Sequence, residues 1–140
     1  MEAFVLAPGL AEAIIAHARE GYPDEVCGIV AGDHDSGSEL YRGQNVAPQP
    51  RIAFELDVQT LARQIEFAER GLELAAIYHS HPDGPAAPSP ADIAQCYYPG
   101  AVYIICSLQE WGRPALRGFR LGGGQASEVA LGGLPSGGPA

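Results

Sequence analysis

Lysine is absent from this chain: all eight basic side chains are arginines. Against them stand 17 acids, for a formal net charge of −9. That balance argues against nucleic acid and anionic membranes as partners, because affinity for both is built from basic patches. Long apolar runs are missing too, and the longest fall far short of the ~18 residues a membrane helix needs. The start, Met1-Glu2-Ala3-Phe4-Val5-Leu6, has neither a basic segment nor a sustained apolar stretch, so it does not read as a signal peptide. Only three cysteines occur, Cys27, Cys96 and Cys106, and none forms a C-x-x-C pair. An odd number without a secretory signal predicts reduced thiols and a cytoplasmic location.

What is present suffices for one folded domain. Of the 140 residues, 46% are hydrophobic and 18% charged, which excludes whole-chain disorder. Residues 1–131 read as a single domain and 132–140 as a flexible Gly/Pro-rich tail. Helical spacing of Leu10, Ala11, Ile14, Ile15 and Ala18 predicts a helix from about Pro8 to Glu20, stopped by Gly21. Leu61, Ile65 and Ala68 predict a second, capped by Asp57 and running to Arg70 before Gly71. A short third helix starts at Pro90. Strands are expected at 26–31, 38–45, 74–79, 101–108, 113–121 and 127–131. The run Ala101-Val102-Tyr103-Ile104-Ile105-Cys106 is apolar on both faces, as in a strand covered from both sides. Helices interleaved with strands predict an α/β fold with a mixed sheet.

The chemistry concentrates in His79-Ser80-His81-Pro82 and in Ser89-Pro90-Ala91-Asp92. Residues i and i+2 of a strand share a face, so His79 and His81 project side by side while Ser80 turns away. Two convergent imidazoles at a strand end make half of a zinc site. The Pro/Gly/Ala-rich segment 83–88 can turn the chain back and bring Asp92 in as a third ligand. A zinc with two histidines, one carboxylate and an open position is of the catalytic type and can acidify water to a pKa of about 7. Such a site needs a base, and Glu25, at the mouth of the strand that starts at Val26, is the candidate. Ser89 can donate to an oxyanion. Ser89 and Asp92 also fit a plain helix-capping box with proline at the first helical position, and one arrangement can serve both ends. Cys27 sits among apolar neighbours and reads as a small core residue rather than a nucleophile.

Glu25, a distant His-Ser-His, seven residues and then Ser-x-x-Asp resembles the signature of the JAMM (MPN+) zinc metallopeptidases. The flanks agree: Glu25-Val26-Cys27-Gly28 is similar to the family's Glu-x-Cys-Gly, and Asn45 followed by Phe54-Glu55-Leu56-Asp57 is similar to its approach to the second helix. The resemblance spans roughly residues 3–121. It implies a curved mixed sheet flanked by helices, laid out as in cytidine deaminases. It implies one zinc ion held by His79, His81 and Asp92, with Glu25 as general base and Ser89 as oxyanion stabiliser. It further implies hydrolysis of a peptide or isopeptide bond after the Gly-Gly terminus of a ubiquitin-like or sulfur-carrier protein. Among the small prokaryotic members that this chain resembles more closely, release of a C-terminal cysteine is the favoured activity. Phe54 and its neighbours are expected to line the groove for the Gly-Gly tail. Arg51, Arg113, Arg117 and Arg120 are the cations available to meet an acidic carrier. The competing reading is a non-catalytic scaffold of the same fold, which ought to lack a ligand or the glutamate; none is missing. A zinc deaminase would need His-x-Glu and Pro-Cys-x-x-Cys, and neither occurs.

Overall fold

The computed structural model of the chain describes residues 2–135. Seven strands close into a barrel in the order β1-β3-β2-β4-β5-β6-β7. They are β1 (Ala3–Leu6), β2 (Cys27–Asp33), β3 (Ser36–Arg42), β4 (Glu73–His81), β5 (Val102–Ser107), β6 (Ala115–Gly122) and β7 (Gln125–Gly132). β1 lies parallel to both β3 and β7, and β4 parallel to β5; the other pairs are antiparallel. Mixed pairing was expected from the sequence, but β1 was not. It is four residues long, too short for a periodic signal, and its burial of Phe4 and Leu6 is what joins the two ends of the sheet.

Two apolar clusters cover opposite faces of β2, β4 and β5. On one face, Ala11, Ile14 and Ala18 of helix α1 (Leu10–Gly21) pack against Val30, Tyr78, Val102 and Ile104. On the other, Ile29, Ile77 and Ile105 meet Leu56 and Phe67. β5 is buried along its whole length, as its unbroken apolar run predicts. Gly28 lets β2 lie against Tyr78: a Cβ there would collide with the buried phenol ring.

The expected helix from Asp57 to Arg70 is two helices, α2 (Val58–Leu61) and α3 (Gln64–Glu69). Asp57 does cap the first, accepting from the Thr60 amide at 3.0 Å. Between them, i→i−3 bonds from Arg63 to Thr60 and from Ile65 to Ala62 tighten the turn. The tighter turn points Phe67 into the core against Tyr41 and leaves Ile65 and Ala68 exposed, contrary to the predicted stripe. Gly71, at φ 73°, ends α3. The third helix, α4 (Pro90–Ala94), begins where expected. Of the predicted tail, residues 136–140 lie outside the described residues, while residue 132 closes β7. No described helix is long and apolar enough to cross a membrane.

Candidate active site

Strand register brings the catalytic candidates to one end of the barrel. Cys27 pairs with His79 across β2 and β4, so Glu25, two residues earlier, is carried toward His81. Ser80, facing away from the site, fastens that junction. Its Oγ accepts from the Val26 amide at 2.9 Å, and its own amide donates to the Val26 carbonyl at 3.0 Å. Parallel pairing with β5 places Ser107 beside His81, and the Ser107 hydroxyl donates to the Gly84 carbonyl at 2.6 Å. This holds the turn that returns the chain to α4.

Asp92 comes in from the first turn of α4. Ser89 and Asp92 form the capping box: Ser89 Oγ accepts from the Asp92 amide at 3.0 Å, and Asp92 Oδ2 accepts from the Ser89 amide at 2.9 Å. The cap fixes the carboxylate without using up the Ser89 hydroxyl proton.

Three ligand-type atoms then converge. His79 Nε2 lies 3.1 Å from His81 Nε2 and 3.2 Å from Asp92 Oδ1, and His81 Nε2 lies 3.1 Å from Asp92 Oδ2. The Pro85 carbonyl, 2.8 Å from His81 Nδ1, can only accept, so Nδ1 carries a proton and donates it. In the neutral ring the Nε2 lone pair then faces the Asp92 carboxylate, an arrangement that calls for a cation between them. Two ligands of a tetrahedral ion, each about 2.0–2.1 Å from it, stand roughly 3.3 Å apart. The spacing here matches, and His79, His81 and Asp92 form a group able to hold a metal ion. Two buried polar atoms beside it have no partner among the described residues, His79 Nδ1 and Glu25 Oε1. The residues therefore fit a metal, with Glu25 outside the ligand set.

Electrostatics follow the same geometry. Burial keeps His79 neutral, the form that ligates. Burial opposes ionisation of Asp92, but the facing imidazoles of His79 and His81 outweigh it and hold the carboxyl well below the usual range. Glu25 is the opposite case: burial, only partly offset by His81, raises it to about 7. Burial also pushes the Cys27 thiol up to about 12, with Asp57 and Glu25 adding to it, so Cys27 is no nucleophile. All three cysteines are free.

The raised Glu25 has a measurable consequence for stability. In metal-free protein the folded state keeps this proton between pH 4.5 and about 7, where the unfolded chain has released it. Stability from this group is therefore full below pH 4.5 and lost as pH rises through about 7. Glu25→Gln, always neutral, is expected to unfold later than metal-free wild type at pH 8, by on the order of 2–3 kcal/mol, with the gap closing toward pH 4. Denaturation with chelator at the two pH values checks this; a gap independent of pH contradicts it.

A cleft of about 430 Å³ opens from Asp92. One wall is Phe54, Glu55 and Leu56; the other carries Gln95, Tyr97 and Tyr98, and Ile77 and Tyr103 line the cleft as well. Phe54 stacks on His79 with ring centroids 4.3 Å apart. Asn45 and Leu56 form an isolated antiparallel bridge, flanked by bonds from Val46 to Glu55 and from Asp57 to Gln44. In that pattern residues 55 and 57 face inward, while the main-chain groups of 54 and 56 face the other way.

Residues 8–120 match the family model of prokaryotic homologs of the JAB domain. The chain belongs to that family. It is 40% identical over 109 residues to the desampylase of Haloferax volcanii, covering 73% of this chain and 78% of that one. It is also 40% identical over 124 residues to a "probable TtuB-protein conjugate cleaving protease" of Thermus thermophilus, covering 88% and 78%. With the CysO-cysteine peptidase of Mycobacterium tuberculosis it shares 32% over 126 residues, covering 89% and 86%. A JAB1/MPN domain protein from Archaeoglobus fulgidus superposes with a TM-score of 0.58 at 19% identity, over 93% of this chain and 97% of that one, which shows the common fold. This JAB-domain chain is a hydrolase of the JAMM metallopeptidase type with an α/β JAMM/MPN fold.

All five residues singled out in the sequence lie at one end of this JAB-domain barrel. Sequence reasoning missed the supports: Ser80 as the clamp on Val26, Ser107 on the turn, and the tyrosines of the cleft. Only the placement of Ser80 between two histidines hinted at a buried partner.

Proposed function

We propose that the chain hydrolyses the peptide or isopeptide bond after the Gly-Gly terminus of a ubiquitin-like sulfur-carrier protein, using one zinc ion held by His79, His81 and Asp92. The observation that carries this is the cleft leading out of Asp92 along the Phe54–Leu56 wall. Its outward main-chain groups offer an extended tail a strand to pair with, and glycines let that tail approach the metal without side chains. The relatives support the substrate class: one is named for TtuB–protein conjugates and another for CysO–cysteine.

Two histidines and a carboxylate are a catalytic zinc donor set, and zinc bound there would polarise the scissile carbonyl and acidify water. Glu25 takes the proton from the attacking water and passes it to the leaving amine, from its buried place beside His81 and outside the ligand set. Ser89, whose Oγ is oriented by the Asp92 amide, donates a hydrogen bond to the carbonyl oxygen as it becomes anionic. Phe54, stacked on His79, keeps water from that side of the site. Of the arginines expected to meet an acidic carrier, Arg117 and Arg120 are engaged by Glu128 and Glu2, which leaves Arg51 and Arg113 for that contact.

The test is intact-mass spectrometry on a sulfur carrier ending in Gly-Gly, extended by a cysteine or joined to a lysine peptide through an isopeptide bond. Loss of the cysteine assigns the chain to carrier recycling, and loss of the peptide to deconjugation. If neither mass changes with metal-loaded protein, the proposal fails and the scaffold reading gains.

A further inference from the structure

Asn45 is neither a ligand of the candidate metal nor part of the cleft lining, yet its side chain uses all of its hydrogen-bonding capacity. Nδ2 donates to the Glu25 carbonyl and to the Ala53 carbonyl, both at 2.9 Å. Oδ1 accepts from the Ala47 and Glu55 amides, both at 3.0 Å. Two donors and two acceptor lone pairs are the full complement of a carboxamide. The same loop also takes the other main-chain end of the base residue: the Glu25 amide donates to the Pro50 carbonyl at 2.7 Å. Glu25 is therefore pinned from both sides. Ser80 fixes the following residue to the ligand strand, and the 45–50 segment fixes Glu25 itself.

The second pair of Asn45 bonds has a different destination. Ala53 and Glu55 flank Phe54, the residue that both stacks on His79 and walls the cleft. One carboxamide thus ties the base to the surface along which the substrate tail would lie. We propose that Asn45 is a positioning residue that sets Glu25 against the substrate wall, so that a seated tail and the base share one rigid frame. This rests on the proposed carrier hydrolysis, because it assigns Glu25 the proton transfer. Aspartate cannot replace Asn45: it keeps the shape and the two acceptor bonds but brings a carboxylate against two carbonyl oxygens.

A double-mutant cycle tests this on the full, metal-loaded chain with the carrier fusions. Asn45→Ala and Asn45→Asp are expected to lower kcat on the order of 10- to 100-fold, the scale of a base displaced from its working position, with metal content at the wild-type level. The 46–57 peptide is expected to lose hydrogen-exchange protection. In a Glu25→Gln background, Asn45→Ala is expected to change the residual rate less than about twofold, because the group it positions no longer acts. A merely structural role gives the same fold-loss in both backgrounds and overturns the proposal, as does wild-type kcat in both single variants. If Asn45→Ala does not fold, the isosteric Asn45→Asp carries the cycle. Wild-type protein that leaves every carrier fusion intact defeats the hydrolase reading itself, and the positioning role falls with it.

Discussion

Glu25→Gln is expected to bind metal as wild type does and to turn over substrate about a thousandfold more slowly. The size follows from the usual worth of a positioned acid–base group, 10²–10⁴-fold. Glutamine keeps the shape of the side chain but can neither take a proton from water nor return one to an amine. The metal should stay because Glu25 lies outside the converging triad of His79, His81 and Asp92. Single-turnover rates on the carrier fusion, with metal content measured on the same sample, check both halves. A variant with near wild-type turnover removes Glu25 as the base, and one that loses its metal makes Glu25 a ligand.

Asp92→Ala is expected to lose both metal and activity. The carboxylate faces both imidazoles and supplies the negative charge that balances a divalent cation. The substitution also removes one half of the box that starts α4, a cap worth about 1 kcal/mol. Asp92→Asn separates the two roles, since an amide oxygen can still accept from the Ser89 amide while the charge is gone. Metal occupancy near zero in both variants, with α4 amide protection kept only in the asparagine form, is the expected pattern. Wild-type occupancy in either variant would show that the ligand set is wrong.

Much of this site was legible in the sequence because its geometry is local. Period-two alternation alone puts His79 and His81 on one face, and Ser-Pro-x-Asp is a helix start whatever the tertiary context. Its place at a strand mouth makes Glu25 a candidate base, but resemblance singles it out, since an acid before a strand is commonplace and its neighbour His81 is more than fifty positions away. The supports stayed hidden for the same reason. The bonds of Asn45 reach segments whose closeness is set by loop packing, and Tyr97, Tyr98 and Tyr103 line a cleft only after α4 folds back over β4 and β5. The break between α2 and α3 was missed because Ile65 and Phe67 offer competing apolar stripes. The core accepts Phe67, the larger group, and the chain tightens by a residue to deliver it. Closure of the barrel depends on β1 pairing at both edges, which four residues cannot announce.

On the proposed function, His79, His81 and Asp92 hold one ion without which the carrier's bond is not cut. The direct measurement strips the protein with chelator, follows the intact mass of the carrier fusion, and titrates zinc back while counting bound metal. No cleavage in the stripped protein, with recovery complete at one zinc per chain, is the predicted result. Full cleavage by metal-free protein would contradict the account.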